Sequence, residues 1–226
     1  LASLDEQVLK DIIENYKPSI LGDLIAQLNT DDAAYILENL ETEKRDDLLN
    51  QISTDARSLI IQALEFPEMS AGRLMQRDYV AVPRYWNVGQ VIDYLRRSIK
   101  VPDQFYAIFI VDPRHIPVGT IPLHKLMRSE RKVVLSDIMT TEPVVVPVDM
   151  DQEDMAFLFE QYDLTSAPVV NSQNRLIGMV TVDDVVEVIQ EEAEEDMLKL
   201  AGISGDTDIY MAAWQTARSR FTWLFI

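Results

Sequence analysis

The stretch PVVNSQNRLIGMVTVDDVV at residues 168–186 decides the fold, because an earlier part of the chain repeats it. FIVDPRHIPVGTIPLHKLM at 109–127 corresponds to it at an offset of 59 residues. In the same way, LMQRDYVAVP at 74–83 corresponds to IMTTEPVVVP at 138–147 at an offset of 64. Apolar residues at helical spacing lie between the two halves of each copy. Each copy therefore predicts strand, helix, strand, turn, strand and helix, and two such small units are expected to pair around a shared core.

Short helices are predicted ahead of the repeat. Residues 19–66 contain one glycine, Gly22, and no proline, and their apolar residues recur at helical spacing. NTDD at 29–32 provides capping residues before one of these apolar runs. Pro67 closes this part of the chain. The pattern predicts a small helical array in front of the repeated units, and an α+β fold class for the whole chain.

The last helix of the repeat continues into an unusually acidic segment. TVDDVVEVIQEEAEEDM at 181–197 holds eight carboxylates between Asp183 and Asp196 and no Lys or Arg. Carboxylates near the carboxyl end of a helix oppose its macrodipole. Like charges four residues apart cost about 0.2–0.5 kcal/mol a pair. Two interpretations remain open: the helix is simply well solvated, or it binds a cation from outside the chain.

The composition limits the partners. Twenty basic against 38 acidic residues give a formal charge of −18, which argues against nucleic acid and favours cations or plain solubility. There is no cysteine, and there are only two histidines, His115 and His124, which are predicted to be surface or cap residues.

The first residue is Leu, which predicts that the natural chain starts further upstream. WQTARSRFTWLFI at 214–226 fits either an amphipathic helix or the start of a membrane segment, and no complete span is present.

Other chemistries find little support in the chain. DMDQEDMAFLFE at 149–160 superficially follows the count of a calcium loop, but Asp154 stands where that loop requires glycine. No phosphate-binding loop, nucleophile elbow or zinc-protease helix is present. The chain is therefore predicted not to be an enzyme.

The repeated motifs resemble a tandem pair of CBS domains, most closely in the second copy. The order of parts is similar to the cytosolic region of MgtE-type magnesium transporters over essentially the whole chain. The most specific pieces are PEMSAGRLM at 67–75, DMDQEDMA at 149–156, QYDL at 161–164 and the acidic helix. The resemblance implies a helical N-terminal domain at 1–67, a first CBS domain at 68–130, a second at 131–190, and a connecting helix with the start of a truncated transmembrane segment at 191–226.

The resemblance also implies Mg²⁺ ligands that bridge these parts. They are Asp31 in the helical domain, Gly72 through its backbone carbonyl, Asp151, Glu153, Asp163 and Asp184 in the CBS pair, and Glu187, Glu192, Glu195 and Asp196 on the connecting helix. Glu187 stands where the family can carry Asp. Tyr35 stands where the family can offer another carboxylate, which puts one ion of the helical domain in doubt.

The function implied is a magnesium sensor on the cytoplasmic side of the cell membrane, which closes the ion pathway when Mg²⁺ draws the acidic surfaces together. The implied partners are a second copy, through the CBS domains, and the chain's own transmembrane domain. An alternative is a CBS module that senses adenine nucleotides such as ATP or AMP. Its Ser/Thr-x-x-Asp element is present at Thr181 to Asp184, whereas Pro122 and Lys125 replace it in the first copy. A purely structural dimerisation module is a third interpretation.

Overall fold

The computed structural model of the chain describes residues 18–38, 40, 42–98, 101–102 and 104–200. Of residues 18, 19, 23, 55, 191, 194 and 195 it describes the backbone only. The predicted membrane-entering segment at 214–226 lies outside this range. The described residues combine helices with two small sheets, which confirms the α+β class.

Four helices form the array at the amino-terminal side. Their bounds are α1 Pro18–Ile25, α2 Thr30–Glu38, α3 Thr42–Gln51 and α4 Thr54–Leu64. Ser53 caps α4 by accepting a hydrogen bond from the backbone N–H of Ala56. Leu21, Ile36, Leu37 and Leu48 are among the buried residues of a core that belongs to these helices alone. The predicted array is confirmed, and its apolar stripes face one another.

A short helix, α5 Ala71–Leu74, leads from the array into the first repeated unit. This unit contains β1 Ala81–Pro83, α6 Val88–Arg97, β2 Ala107–Val111, β3 Pro117–Pro122 and α7 Leu123–Arg128. Strand β1 pairs with β2 in parallel, and β2 pairs with β3 in antiparallel orientation. Asn87 and Gln90 form a reciprocal capping box at the start of α6. The predicted order of strands and helices is therefore found in the first copy.

The second unit repeats this plan after a 3-10 turn at Leu135–Asp137. Its elements are β4 Thr140–Thr141, β5 Val146–Pro147, α8 Gln152–Tyr162, β6 Ser166–Val170, β7 Leu176–Thr181 and α9 Val182–Leu200. Helix α9 packs along α8 and is continuous over 19 residues. The last helix of the second unit and the connecting helix are thus one element, and the predicted border at 190/191 lies inside it.

The two units exchange their first segments. Strand β4, which opens the second copy, adds to the sheet of the first through the pairs Thr120–Thr140 and Gly119–Thr141. In return, Gln76 pairs with Met179 on β7. Residues 76 and 140, and 120 and 179, are equivalent positions at the offsets of 64 and 59. The exchange is therefore reciprocal, and the two units complete each other as the repeat predicted.

The exchanged segments also fill the opposite cores. Ala71 and Met75 precede the first unit in the chain but are buried in the core of the second. Leu135 precedes the second unit and is buried in the core of the first. Because each unit borrows part of its interior from the other, α5 has a fixed position on the second unit, and helices of the array contact α5.

Candidate metal centre

Asp31 lies in the first turn of α2, where a carboxylate suits the positive end of the helix dipole. Its Oδ1 atom is buried and has no hydrogen-bond partner among the described residues. Burial, together with the negative charges of Asp184 and Asp32, raises the pKa of Asp31 from 3.8 to about 8. The array therefore presents a poorly solvated carboxylate to the second unit.

Asp184 lies opposite, in the first turn of α9. The backbone N–H and the hydroxyl of Thr181 donate to its Oδ2 atom at 3.0 and 2.7 Å. The side-chain amide of Gln76 donates to both carboxylate oxygens at 3.2–3.3 Å. Burial raises the pKa of Asp184, and these hydrogen bonds act against that rise. Asp184 is thus held in one orientation by residues of both units.

A second pair of carboxylates accompanies the first. Burial and the negative charge of Asp183 are among the causes that raise the pKa of Asp32. Asp32 and Asp183 therefore also lie near each other where the array meets the second unit. Asp32 and Asp183 were not among the ligands expected from the sequence. The doublets at 31–32 and 183–184 were a usable signal, because adjacent carboxylates in a first helical turn share one end of the helix.

The chemistry of this junction fits a hydrated divalent cation. Among the described residues, no Lys or Arg is among the causes that shift the pKa values of Asp31 and Asp184, so ionising both carboxylates would leave negative charge at the junction. Mg²⁺ takes oxygen ligands, keeps several waters and needs only one or two carboxylates. Asp31 and Asp184 are the residues that would hold it. The fit is to a water-rich site, since in the described part of the chain no three acidic or His side chains converge closely enough to form a direct cage.

A second acidic cluster lies between α8 and α9. Asp151 caps α8 by accepting from the backbone N–H of Glu153 at 2.9 Å. The negative charge of Glu192 is the main cause that raises the pKa of Glu153, and Asp151 and Asp196 add to it. Gln152 donates its side-chain amide to Glu192 at 2.8 Å. Of the predicted ligands, Glu153 and Glu192 thus lie next to each other, with Asp151 and Asp196 near enough for their charges to act on Glu153.

The remaining predicted ligands are found at other places in the fold. Asp163 ends α8 in the left-handed conformation and is exposed. Gly72 is buried in α5, where its N–H donates to the carbonyl of Val148 at 2.8 Å. Glu187 is exposed on α9, and the side chain of Glu195 is outside the described part. The metal roles of these four residues stay predictions.

Both polar residues of the nucleotide element in the second unit have a partner within the chain. The Thr181 hydroxyl is bonded to Asp184, and Asp184 faces Asp31 of the array. In the first unit, Pro122 precedes α7 without a side-chain cap, and Lys125 is exposed. His115 and His124 are exposed, as predicted. Among the described residues, His115 contributes a contact with the Tyr79 hydroxyl at 3.2 Å.

The fold and the junction define the class of protein: a helical domain docked on a reciprocal CBS pair, with carboxylates at the contact. Two family descriptions match the chain, the MgtE intracellular N domain at 1–69 and the CBS domain at 135–191. The chain belongs to the MgtE family of magnesium transporters and corresponds to the cytosolic region of that family.

Individual relatives give the extent of the similarity. The magnesium transporter MgtE of Thermus thermophilus is 37% identical over 163 residues, which cover 71% of this chain and 36% of that protein. The magnesium transporter MgtE of Bacillus subtilis is 32% identical over 167 residues, which cover 72% of this chain and 36% of that protein. The chain therefore spans about a third of the length of these curated relatives.

Solved structures resemble the fold. The soluble part of a magnesium transporter has a TM-score of 0.78 at 28% identity, covering 83% of this chain and 73% of that one. The cytosolic domain of the Mg²⁺ channel MgtE in complex with ATP has a TM-score of 0.77 at 30% identity, covering 83% and 77%. Within the described range of this chain, no helix has the length and apolar character needed to cross a membrane.

Proposed function

We propose that this chain is the Mg²⁺-sensing regulatory region of a magnesium transporter or channel. The observation that carries the proposal is the junction of Asp31 and Asp184, where two carboxylates with raised pKa values face each other between the array and the second unit. Such a contact is unfavourable when both groups are ionised. Membership of a family of magnesium transporters supports Mg²⁺ as the cation.

The residues act as a charge-controlled contact. When Asp31 and Asp184 are both ionised and uncompensated, their repulsion and incomplete solvation push the array away from the second unit. A bound Mg²⁺ would supply the positive charge that offsets this repulsion. The cluster of Glu153 and Glu192 works in the same way between α8 and α9. Because both clusters include residues of α9, the docked and undocked states differ in how firmly this helix is held.

The energies required are modest. Moving a two-state equilibrium from 1:99 to 99:1 takes roughly 5.5 kcal/mol of differential binding. A cation at about ten times its dissociation constant contributes roughly 1.4 kcal/mol for each independent site. About four weak sites would therefore suffice. Weak sites also suit a sensor, because their ions leave when the concentration falls.

Small-angle scattering tests the proposal. The chain is titrated from chelator to saturating Mg²⁺, and the radius of gyration is expected to fall as the array docks. At a pH above about 8, where Asp31 is ionised, Asp31→Asn and Asp184→Asn should be more compact than wild type in chelator, because each removes one of the opposed charges. The radius of gyration of each variant should also change less with Mg²⁺, because each variant lacks one carboxylate that would bind the ion.

A matched control and a second readout complete this test. Asp137→Asn removes an exposed carboxylate in the 3-10 turn between the two units and should follow the wild-type titration. Limited proteolysis in the same buffers reports docking independently of particle shape. A radius of gyration and a cleavage pattern that do not change with Mg²⁺ concentration would contradict the proposal.

Adenine-nucleotide sensing is the second candidate, since the structural neighbour with a TM-score of 0.77 is a complex with ATP. The same titration with ATP in place of Mg²⁺, and calorimetry with each ligand alone, separates the two. A compaction driven by ATP in chelator would favour the nucleotide function. A chain whose shape and stability respond to neither ligand would be a structural dimerisation module.

The partners follow from the same proposal. We infer that the chain pairs with a second copy through its CBS domains and acts on its own transmembrane domain, from the cytoplasmic face of the cell membrane. We propose no catalytic role for it. Analytical ultracentrifugation at micromolar concentration tests the pairing, which a monomer at all concentrations would contradict.

A further inference from the structure

Helix α2 carries two carboxylates on one face, two turns apart. Asp31 and Glu38 are separated by seven residues, and seven residues make nearly two full turns of an α-helix. Ala34 lies between them on the same face and is fully buried. This is therefore a face by which α2 packs, with a small residue in the middle and a carboxylate at each end.

The two ends of this face meet opposite environments. Asp31, in the first turn, meets the negative charge of Asp184. Glu38, the last residue of α2, forms an ion pair with Arg73 of α5. The contact at Glu38 joins opposite charges, whereas the contact at Asp31 joins two carboxylates and depends on what neutralises them.

Arg73 is built into the interior. It is only 6% exposed, and its Nη1 atom donates to the carbonyl of Ala63 in the last turn of α4 at 3.1 Å. Glu38 and Ala63 are both at the carboxyl ends of their helices, where a cation is favoured by the macrodipole. One guanidinium thus joins the ends of α2 and α4 to α5. Helix α5 is in turn fixed to the second unit through Ala71, whose N–H donates to the carbonyl of Met150 at 2.8 Å.

We propose that the Arg73–Glu38 ion pair is a positioning contact for the metal junction. It fixes the carboxyl end of α2, so that Asp31 at the amino end faces Asp184 when the array docks. This inference rests on the proposed function, because it assigns the pair a role in the cation response. Neither residue is a ligand. Their effect is to limit the orientations that α2 can adopt.

The test uses Glu38→Gln, which removes the charge but keeps an acceptor for Arg73. The chain has no cysteine, so nitroxide labels attach only where cysteines are introduced. Asn29→Cys, before α2, and Gln190→Cys, on α9, are both exposed positions. The distance between the two labels is measured by double electron–electron resonance through an Mg²⁺ titration, with circular dichroism to confirm folding.

The midpoint of the Mg²⁺ titration should rise about tenfold or more in Glu38→Gln, since the buried guanidinium of Arg73 would lose the carboxylate that compensates its charge. The distance distribution should also be broader at saturating Mg²⁺. Glu38→Asp keeps the charge and should recover part of the response. Glu43→Gln, an exposed carboxylate at the start of α3, is the matched control and should follow wild type.

The outcomes separate the two proposals. A wild-type titration with no change in the label distance contradicts the proposed function. The distributions of wild type and Glu38→Gln in chelator then still show whether the pair orients α2, and identical distributions overturn the positioning role. A wild type that responds, with Glu38→Gln at the same midpoint, overturns this inference alone. An equal shift in Glu43→Gln also overturns it, because the effect would then be one of net charge.

Discussion

The folded structure disfavours the ionised form of Asp31. Its pKa is raised from 3.8 to about 8, first by burial and then by the charges of Asp184 and Asp32. The folded chain therefore holds a proton on this group that the unfolded chain releases between these two pH values. The stabilisation that this proton provides is complete below pH 3.8 and is lost as the pH rises through 8.

A pH prediction follows for Asp31→Asn. In chelator, wild type should lose thermal stability between pH 6 and pH 8 by more than the variant does. The difference has an upper limit of about 1.4 kcal/mol per pH unit. At pH 8 the variant should melt at least ~2–4 °C higher, the shift that about 1 kcal/mol gives in a chain of this size. Calorimetric scans at each pH measure this.

The control for this prediction is Asp46→Asn, an exposed carboxylate on α3 whose loss should leave the pH profile of wild type unchanged. Parallel profiles for wild type and Asp31→Asn would show that Asp31 ionises freely in the folded chain. Saturating Mg²⁺ should reduce the difference between the two, because the ionised carboxylate is then compensated.

At the scale of single elements, α8 and α9 run side by side with carboxylates between them. Glu192→Gln removes the main charge that raises the pKa of Glu153. The pKa of Glu153 should therefore fall towards its ordinary value in this variant. A carbon-detected NMR titration of the side-chain carboxyl in chelator gives that pKa directly. Glu160 is exposed on α8, the helix that carries Glu153, and Glu160→Gln should leave the pKa of Glu153 unchanged. An unaltered pKa of Glu153 in Glu192→Gln would contradict the proximity of Glu153 and Glu192.

Helix α5 provides a steric prediction. A Cβ atom at Gly72 would lie 2.7–2.8 Å from Val148 Cγ2, Phe66 Cγ and the Val148 carbonyl oxygen. At Gly89, the nearest atom would be the Arg131 carbonyl oxygen at 3.1 Å. Gly72→Ala should therefore lower the free energy of unfolding by about 1–3 kcal/mol, and Gly89→Ala by less. Urea unfolding of both variants measures the difference, and equal losses would mean that α5 can shift away from Val148.

The elements themselves could be predicted from the sequence, whereas most side-chain partners could not. Apolar spacing and the two offsets predicted the helices and both repeated units, because period and repetition are local properties of a sequence. The bond from Gln76 to Asp184 joins residues 108 positions apart, and the pair of Arg73 and Glu38 joins two different domains. Such contacts depend on how the helices and strands pack against one another, which is not a local property of the sequence. Asp31 and Asp184 were expected as Mg²⁺ ligands through the family resemblance. The adjacent carboxylates in the sequence do not by themselves indicate which residues they face.

Over the whole molecule, charge is unevenly distributed. Between residues 73 and 132, Lys and Arg outnumber Asp and Glu by eleven to five, whereas the rest of the chain has nine basic against 33 acidic residues. Both acidic clusters of the described structure lie outside the basic segment, at the contacts of the array, the second unit and α9. A cation response is therefore expected to act on these parts and to leave the first unit unchanged.

The reciprocal exchange between the units predicts how the molecule divides. Residues 131–200 alone would lack Met75 and Ala71 from their core and Gln76 from the edge of β7. This fragment should have no cooperative thermal transition, whereas residues 68–200 should melt cooperatively. Circular dichroism melts of the two fragments test this. A cooperative transition of the shorter fragment would mean that the borrowed residues are dispensable.

Helix α9 has Asp184 in its first turn and continues without a break for 19 residues. At 1.5 Å per residue, it is a rod of about 28 Å. A tilt of only ~5° at its base would carry its far end sideways by roughly 2–3 Å, given that length. A change in protonation or ion content that barely moves the base of the helix would thus displace its other end by roughly the diameter of a water molecule.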